Sequence, residues 1–76
     1  MLTLTDAKII GCSKGEGQRG TFYNVSFMNE GEPYRISCTK EIYELATNCD
    51  FGEEKRLVMD LRLYGREWGV RVVDFE

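Results

Sequence analysis

The chain has 76 residues, a formal net charge of −3, 42% apolar residues and no histidine. One small domain with a modest core fits this length, whereas the larger parallel sheet of a dinucleotide-binding fold or the second lobe of a protein kinase does not. No apolar run approaches the roughly 20 residues of a membrane span, and the N-terminus lacks the apolar core of a signal peptide, so we expect a cytoplasmic protein without a membrane partner.

Alternating apolar and polar residues predict strands through most of the chain. The first strand is expected over residues 2–12, and the glycine-rich residues 11–20 are expected to form the loop to the second strand. The second strand, "TFYNVSFM", leads to Glu30-Gly31, a pair that suits a two-residue turn. Folding about this turn pairs core-compatible residues: Phe27 with Tyr34, Val25 with Ile36 and Tyr23 with Cys38. The opposite face of the hairpin then carries Phe22, Asn24, Ser26, Arg35 and Ser37.

A short helix is predicted after the third strand. Thr39 is a good N-cap, and Glu41 suits the positive end of the helix dipole. The apolar stripe of this helix is narrow and consists of Ile42, Leu45 and Ala46. Residues 47–48 and Gly52 are expected to end it.

The segment "RLVMDLRLYGREWGVRVV" predicts the last two strands, and its Gly65-Arg66 pair fits a type II′ turn, which has glycine first. Folding about this turn gives an inward set of pairs: Leu63 with Trp68, Leu61 with Val70 and Met59 with Val72. The outward set is Arg62 with Gly69, Asp60 with Arg71 and Val58 with Val73. Because a one-residue slip would move every side chain to the other face, the two sets support one register, and Trp68 is assigned to the core.

The order of three strands, a helix and two strands predicts a mainly β fold, a five-stranded OB-like Greek-key barrel that forms one domain over residues 1–76. An SH3-like barrel is an alternative that only topology separates from it. A glycine-rich basic loop leads into an aromatic strand in "GQRGTFYNVSF", and the closing hairpin ends in "WGVRVVDFE". This layout resembles the small single-stranded DNA-binding proteins of phages and mobile elements, including the filamentous-phage gene V type. The resemblance implies binding of single-stranded DNA with little sequence preference during phage or plasmid replication.

Residues 15–20 match the G-x-G-x-x-G spacing of nucleotide-binding loops. Such fingerprints need a helix directly after the glycines, whereas residues 21–28 are predicted as a strand, so we reject a nucleotide fingerprint here. In an OB barrel the same segment joins the first two strands and often belongs to the binding surface. Lys14 and Arg19 would supply positive charge there, and a solvated hairpin tip without a binding role is the alternative.

Phe22 is the most informative candidate residue, because other apolar residues already occupy the inward face of its strand. An outward ring can stack a base for about 1–3 kcal/mol without sequence preference, and cover by the loop or by a second subunit is the alternative. Arg71 is set aside, because Asp60 is predicted to lie opposite it. Nucleic acid is predicted to contact Lys14, Arg19, Phe22, Asn24, Arg35, Arg62, Tyr64 and Arg66, of which Tyr64 is a second stacking candidate. For the basic members, ordinary solvated charge is the alternative.

A protein–protein interaction module, an accessory factor or inhibitor without nucleic-acid binding, is the main rival function. Residues 39–54 contain five acids and one base, Lys40, and this acidic segment favours that rival. Val58 and Val73 are apolar on an outward face, so we predict a homodimer that buries them. Single-stranded RNA is left open as a ligand beside DNA.

Catalysis and metal binding have little support in the sequence. The chain has no histidine, no serine in an activated context and no carboxylate pair whose spacing suits acid–base work, so we expect no enzyme activity. The cysteines Cys12, Cys38 and Cys49 form no C-x-x-C pair, and we interpret them as free thiols. No cofactor and no metal ion are expected.

Overall fold

Five strands and one helix follow one another along the chain, and a computed structural model describes residues 2–76 apart from the side chain of Tyr64. The elements are β1 (Leu2–Gly17), β2 (Gly20–Asn29), β3 (Glu32–Cys38), α1 (Lys40–Thr47), β4 (Glu53–Tyr64) and β5 (Glu67–Phe75). The strands close into a barrel in the order β1-β2-β3-β5-β4, and β4 pairs with β1. Only β3 and β5 are parallel neighbours among these described strands. The predicted five-stranded barrel with a helix between its third and fourth strands is confirmed.

A bulge in β1 allows this strand to serve two neighbours. The register against β2 shifts between Ile9 and Gly11, which leaves Ile10 as an extra residue. Bulges bend a strand and increase its twist. β1 accordingly pairs with β4 over residues 2–9 and with β2 from Lys8 onward.

The glycine-rich segment is mostly strand, so the prediction of a long loop is wrong. β1 continues to Gly17, well beyond the expected end at Cys12, and Gly17 lies opposite Gly20 of β2. Only Gln18 and Arg19 form the turn between the two strands. Strand pairing gives the backbone groups of these glycines hydrogen-bond partners, which an open loop would leave to water.

The β2–β3 hairpin has the predicted register. Phe27 lies opposite Tyr34, Val25 opposite Ile36 and Tyr23 opposite Cys38. The turn residues Glu30 and Gly31 have φ angles of 52° and 80°. A type I′ turn requires positive φ at both of its central residues, which explains why the short turn forms here.

The β4–β5 hairpin follows the predicted register from the Leu63–Trp68 pair to the Met59–Val72 pair. Gly65 has a φ angle of 64°, as the first central residue of a type II′ turn requires. The predicted pairing of Val58 with Val73 is wrong, because the register shifts beyond Met59 and Val58 lies opposite Asp74. Val73 is therefore an extra residue at a bulge.

The core lies inside the barrel, and α1 packs against β1, β2 and β5. The N–H of Ile42 donates to Thr39 Oγ1 at 3.3 Å, so the predicted N-cap is confirmed. Leu45 is half-exposed, so the buried stripe of the helix is narrower than predicted. No helix among the described residues has the length and apolar character that a membrane crossing requires. The buried core consists of Ala7, Ile9, Val25, Phe27, Cys38, Ile42, Ala46, Leu57 and Val72.

Trp68 is not in the core, contrary to the prediction: 68% of its surface is exposed. Its strand pairs with β3 only at Ser37–Arg71 and Cys38–Val72. The first half of β5 therefore has a ladder partner on one side only, in β4, and its inward side chains are left uncovered. Leu63, opposite Trp68, is exposed for the same reason.

Candidate nucleic-acid interface

The outer face of β2 and β3 carries polar side chains and one aromatic ring. Because side chains alternate along β2, Val25 and Phe27 point into the core while Phe22 and Asn24 lie on the outer face. Asn24 is opposite Ser13 of β1 and Ser37 of β3, so short hydroxyl side chains flank it on both sides. Because these side chains are short, they do not shield the outer face beside Phe22 from a ligand.

Phe22 lies directly over Gly15 of the neighbouring strand. The two residues are opposite each other, and a Cβ atom placed on Gly15 would collide with Phe22 Cζ. The far end of the ring thus occupies the space that a side chain at position 15 would take. Half of Phe22 remains exposed, with an accessible fraction of 50%. One part of the ring rests on the β1–β2 hairpin, and the rest is available for contact with a ligand.

A shallow depression next to Phe22 brings together residues from four elements. It is lined by Phe22 of β2, Ser37 of β3, Lys40 of α1 and Arg71 of β5. Lys40 and Arg71 were absent from the predicted set. No sequence signal identifies Lys40, since its place depends on how α1 begins against the barrel.

Asp60 forms its salt bridge with Arg62 and not with Arg71, contrary to the prediction from the sequence. Asp60 is opposite Arg71 as predicted, but its carboxylate accepts a hydrogen bond from Arg62 Nε and forms a salt bridge with that residue. Desolvation acts to raise the pKa of Asp60, whereas the hydrogen bond and the charge of Arg62 act to lower it. The net result is a pKa below its ordinary value. Arg62 is therefore partly neutralised, whereas Arg71 has no salt bridge within the described part of the chain.

The thiol of Cys38, which also lines the depression, is uncharged at neutral pH. Burial raises the pKa of the Cys38 thiol to about 11, and Cys12 acts in the same direction while Arg71 opposes it. Among the residues that the structure describes, no carboxylate lines the depression. The two cations therefore set the sign of its electrostatic potential.

The remaining predicted basic residues are distributed over two hairpins and β3. Arg19 lies in the β1–β2 turn, Arg66 lies in the β4–β5 turn, and Arg35 is on the outer face of β3 opposite Ser26. Lys14 is exposed on β1 opposite Tyr23. None of these four forms a salt bridge with another described residue. The predicted role of the Tyr64 ring lies outside the described residues.

A second exposed apolar surface lies on the inner side of the β4–β5 hairpin, contrary to the prediction that these side chains belong to the core. It comprises Leu63, Trp68 and Val70, all exposed to solvent. On β3, the exposed Tyr34 stacks on Phe27 with ring centroids 5.7 Å apart. Continuing the parallel register back from the Ser37–Arg71 pair brings Trp68 level with Tyr34, although no ladder pairs join the strands there.

Comparisons with known proteins bear on the fold. No family model matches the sequence, and no curated protein matches it. Among solved structures, the chain is similar to the SSB domain of a protein from Synechococcus sp., with a TM-score of 0.56 and 16% sequence identity over 99% of this chain and 89% of that chain. The chain has an OB fold. The SH3-like barrel is thereby excluded, and at this identity the likeness concerns the fold alone.

Proposed function

We propose that this OB-fold protein binds single-stranded DNA with little sequence preference, by stacking bases on exposed rings and by contacts between basic side chains and phosphates. Phe22 carries the proposal: it is a half-exposed ring on the outer face of β2, beside Lys40 and Arg71. OB folds bind oligonucleotides through the face of their second and third strands and through the loops between strands 1 and 2 and between strands 4 and 5. Arg19 and Arg66 lie in those two turns.

Charge segregation supports the proposal despite the net charge of −3. Residues 41–54 contain five acids and no base. In contrast, the outer face presents Arg35 and Arg71, and the β1–β2 and β4–β5 turns present Arg19 and Arg66. Local potential rather than net charge decides where a polyanion binds.

The similarity in fold to an SSB domain, a single-stranded DNA-binding domain, agrees with this assignment. The layout that resembles phage and mobile-element proteins supports a role in phage or plasmid replication, in the cytoplasm, where a non-specific binder covers exposed strands. The protein would act without a cofactor and without catalysing a reaction. Single-stranded RNA is the alternative ligand, since stacking and phosphate contacts do not by themselves distinguish it from DNA.

A fluorescent oligo(dT) of about 16 nucleotides, near the upper limit of the site size of one OB fold, tests the proposal. We expect binding at ~20 mM salt that is tighter than binding to duplex DNA of equal length. The affinity should fall linearly with the logarithm of salt concentration, by about 0.7 log units per phosphate contact for each tenfold increase, because counterions are released. Unchanged anisotropy up to roughly 50 µM protein at that salt concentration would exclude the proposal.

We also propose a homodimer, with an interface that differs from the predicted one. Val58 has Leu4 of β1 as its neighbour on the outer face, and Leu2 and Leu4 are exposed. These three residues form an apolar patch where a monomer would be expected to present polar side chains. Burying it would add to the small core of a chain of this length, and a two-fold axis would place the same patch on both sides.

Sedimentation equilibrium at ~10–100 µM protein is expected to give twice the monomer mass of 8.8 kDa. Leu4→Glu should return the mass to that of the monomer, because dimerisation would bury the new carboxylate without a partner. Leu45→Glu, a change at a similarly exposed leucine on α1, is the matched control and should leave the dimer intact. A monomer mass at every concentration excludes the dimer, and a dimer that persists in Leu4→Glu excludes this interface.

A protein-interaction module is the second candidate function, and one surface favours it. Phe51 is 86% exposed in the connection between α1 and β4, and the half-exposed Leu45 lies on the last turns of α1. Both lie within the acidic residues 41–54. This surface repels nucleic acid and suits a basic partner protein with an apolar side chain to contribute. If the oligo(dT) titration shows no binding, protein interaction becomes the better supported function.

A further inference from the structure

Lys40 and Arg71 line the same depression as Phe22, although neither was expected to contribute to a site. We propose that these two residues bind the phosphate backbone of the nucleotide whose base stacks on Phe22, so that the depression is a subsite for one nucleotide of a single strand. The inference rests on the proposed function and specifies which cations act at its central ring.

The barrel fixes the positions of these side chains. Cys38 is opposite Tyr23 of β2 and beside Val72 of β5, so β2, β3 and β5 meet next to Phe22. The N–H of Thr39 donates to the carbonyl oxygen of Val72 at 3.3 Å, which ties the start of α1 to β5. Lys40 directly follows Thr39, and Arg71 directly precedes Val72, so this hydrogen bond holds the two basic residues near each other.

Electrostatics favours an anion at this depression. Neither Lys40 nor Arg71 is in a salt bridge with any described residue, and the thiol of Cys38 is neutral. Arg62, the basic residue predicted on the adjacent strand, is instead held by Asp60. Two cations without a salt bridge to a described residue repel each other at one depression, and an anion bound between them removes this repulsion.

The chemistry of the lining fits a nucleotide rather than a simple anion. Phe22 offers a surface for a base, the hydroxyls of Thr21 and Ser37 can donate to or accept from sugar and phosphate oxygens, and Arg71 has the planar fork that matches a phosphate. A free mononucleotide has the same chemistry as a nucleotide within a strand. The occupant we propose is the strand, because the depression is shallow and open, and affinity must come from neighbouring nucleotides as well.

The experiment measures binding of labelled oligo(dT) to Lys40→Gln, Arg71→Gln and the double variant over a series of salt concentrations. Each single change is expected to weaken binding about tenfold or less at ~20 mM salt, and the double variant should lower the slope of log K against log salt by at least about 0.7. Lys8→Gln is the matched control, since it removes one exposed positive charge on β1 opposite Glu54, and its slope should equal that of the wild type.

A second measurement tests whether the ring and the cations act on one nucleotide. Phe22→Ala is combined with Arg71→Gln, and the losses are expected to be non-additive, because a base that no longer stacks also releases its phosphate. The mononucleotide dTMP should bind far more weakly than oligo(dT). Circular dichroism verifies that each variant is folded, and Lys40→Gln, at an exposed helix position, provides the test if Arg71→Gln does not fold.

The outcomes separate the two proposals. Normal oligo(dT) binding and an unchanged slope in the double variant would overturn the subsite and leave the DNA-binding function standing. Additive losses for Phe22→Ala and Arg71→Gln would overturn the one-nucleotide arrangement, and dTMP binding as tight as that of oligo(dT) would show a site for free nucleotides instead. A wild-type protein that binds no oligo(dT) would overturn the proposed function and the subsite with it.

Discussion

Phe22→Ala is expected to weaken binding of single-stranded DNA by about 1–3 kcal/mol, or roughly 5- to 150-fold, while the free energy of unfolding changes little. The ring is half-exposed and its buried part covers glycine backbone rather than core side chains, so its removal takes away a stacking surface and opens no cavity. Fluorescence anisotropy with oligo(dT) measures the first quantity, and urea unfolding followed by circular dichroism measures the second.

Two further variants make the Phe22 result specific. Phe51→Ala removes an even more exposed phenyl ring from the acidic segment, and it should leave DNA affinity unchanged. Gly15→Ala should weaken binding although residue 22 itself is unchanged, because the new methyl group would collide with Phe22 Cζ and the ring must move. A large loss of stability in Phe22→Ala, or equal loss of affinity in Phe51→Ala, would show that Phe22 is not a stacking platform.

The registers of two hairpins were predictable, because local chemistry determines them. Glu30-Gly31 and Gly65-Arg66 are turn sequences, and the alternation on either side of each turn allows one pairing. Pairs such as Val25 with Ile36 and Leu61 with Val70 are therefore present as predicted. The order of elements then leads to the barrel, since the OB topology follows from that order and from the need to bury one face of every strand.

Features that depend on distant parts of the chain were not predictable in the same way. Alternation shows that Trp68 shares a face with Val72, but it does not show where the barrel ends along β5. The parallel pairing of β3 with β5 decides that point, and it stops at Ser37 and Arg71. A bulge likewise leaves no clear mark in the alternation. The alternation therefore predicts Val73 as the partner of Val58, whereas the structure has Asp74 there.

The position of the aromatic ring in the candidate site was predictable, but the basic residues that lie beside it were not. Phe22 could be placed on the outer face from the alternation of its own strand. The choice of partner for Asp60 lay between Arg71, directly opposite, and Arg62, two residues along the same strand and on the same face. Both arrangements satisfy sequence rules, and only side-chain geometry shows that Arg62 forms the salt bridge. Lys40 reaches the site because of tertiary structure alone.

Phe27→Ala and Trp68→Ala are expected to differ most clearly in their loss of stability, because Phe27 lies in the core and Trp68 lies on the surface. Phe27 is 2% exposed and its ring packs against Tyr34, so truncation should destabilise the protein by about 3–5 kcal/mol. A chain of this length has only about 4–11 kcal/mol of stability, so this loss is a large part of the total. Thermal and urea unfolding followed by circular dichroism measure the loss.

Trp68→Ala should cost no more than about 1 kcal/mol, although the side chain is larger, because most of it is already exposed to solvent and its loss leaves no cavity. The same variant should weaken oligo(dT) binding if the exposed surface of the β4–β5 hairpin takes part, since that hairpin belongs to the binding region of OB folds. Trp68 is the chain's single tryptophan, so if that surface takes part, its fluorescence should be quenched when oligo(dT) binds to the wild type. A stability loss in Trp68→Ala as large as that in Phe27→Ala would instead return Trp68 to the core, where the alternation first placed it.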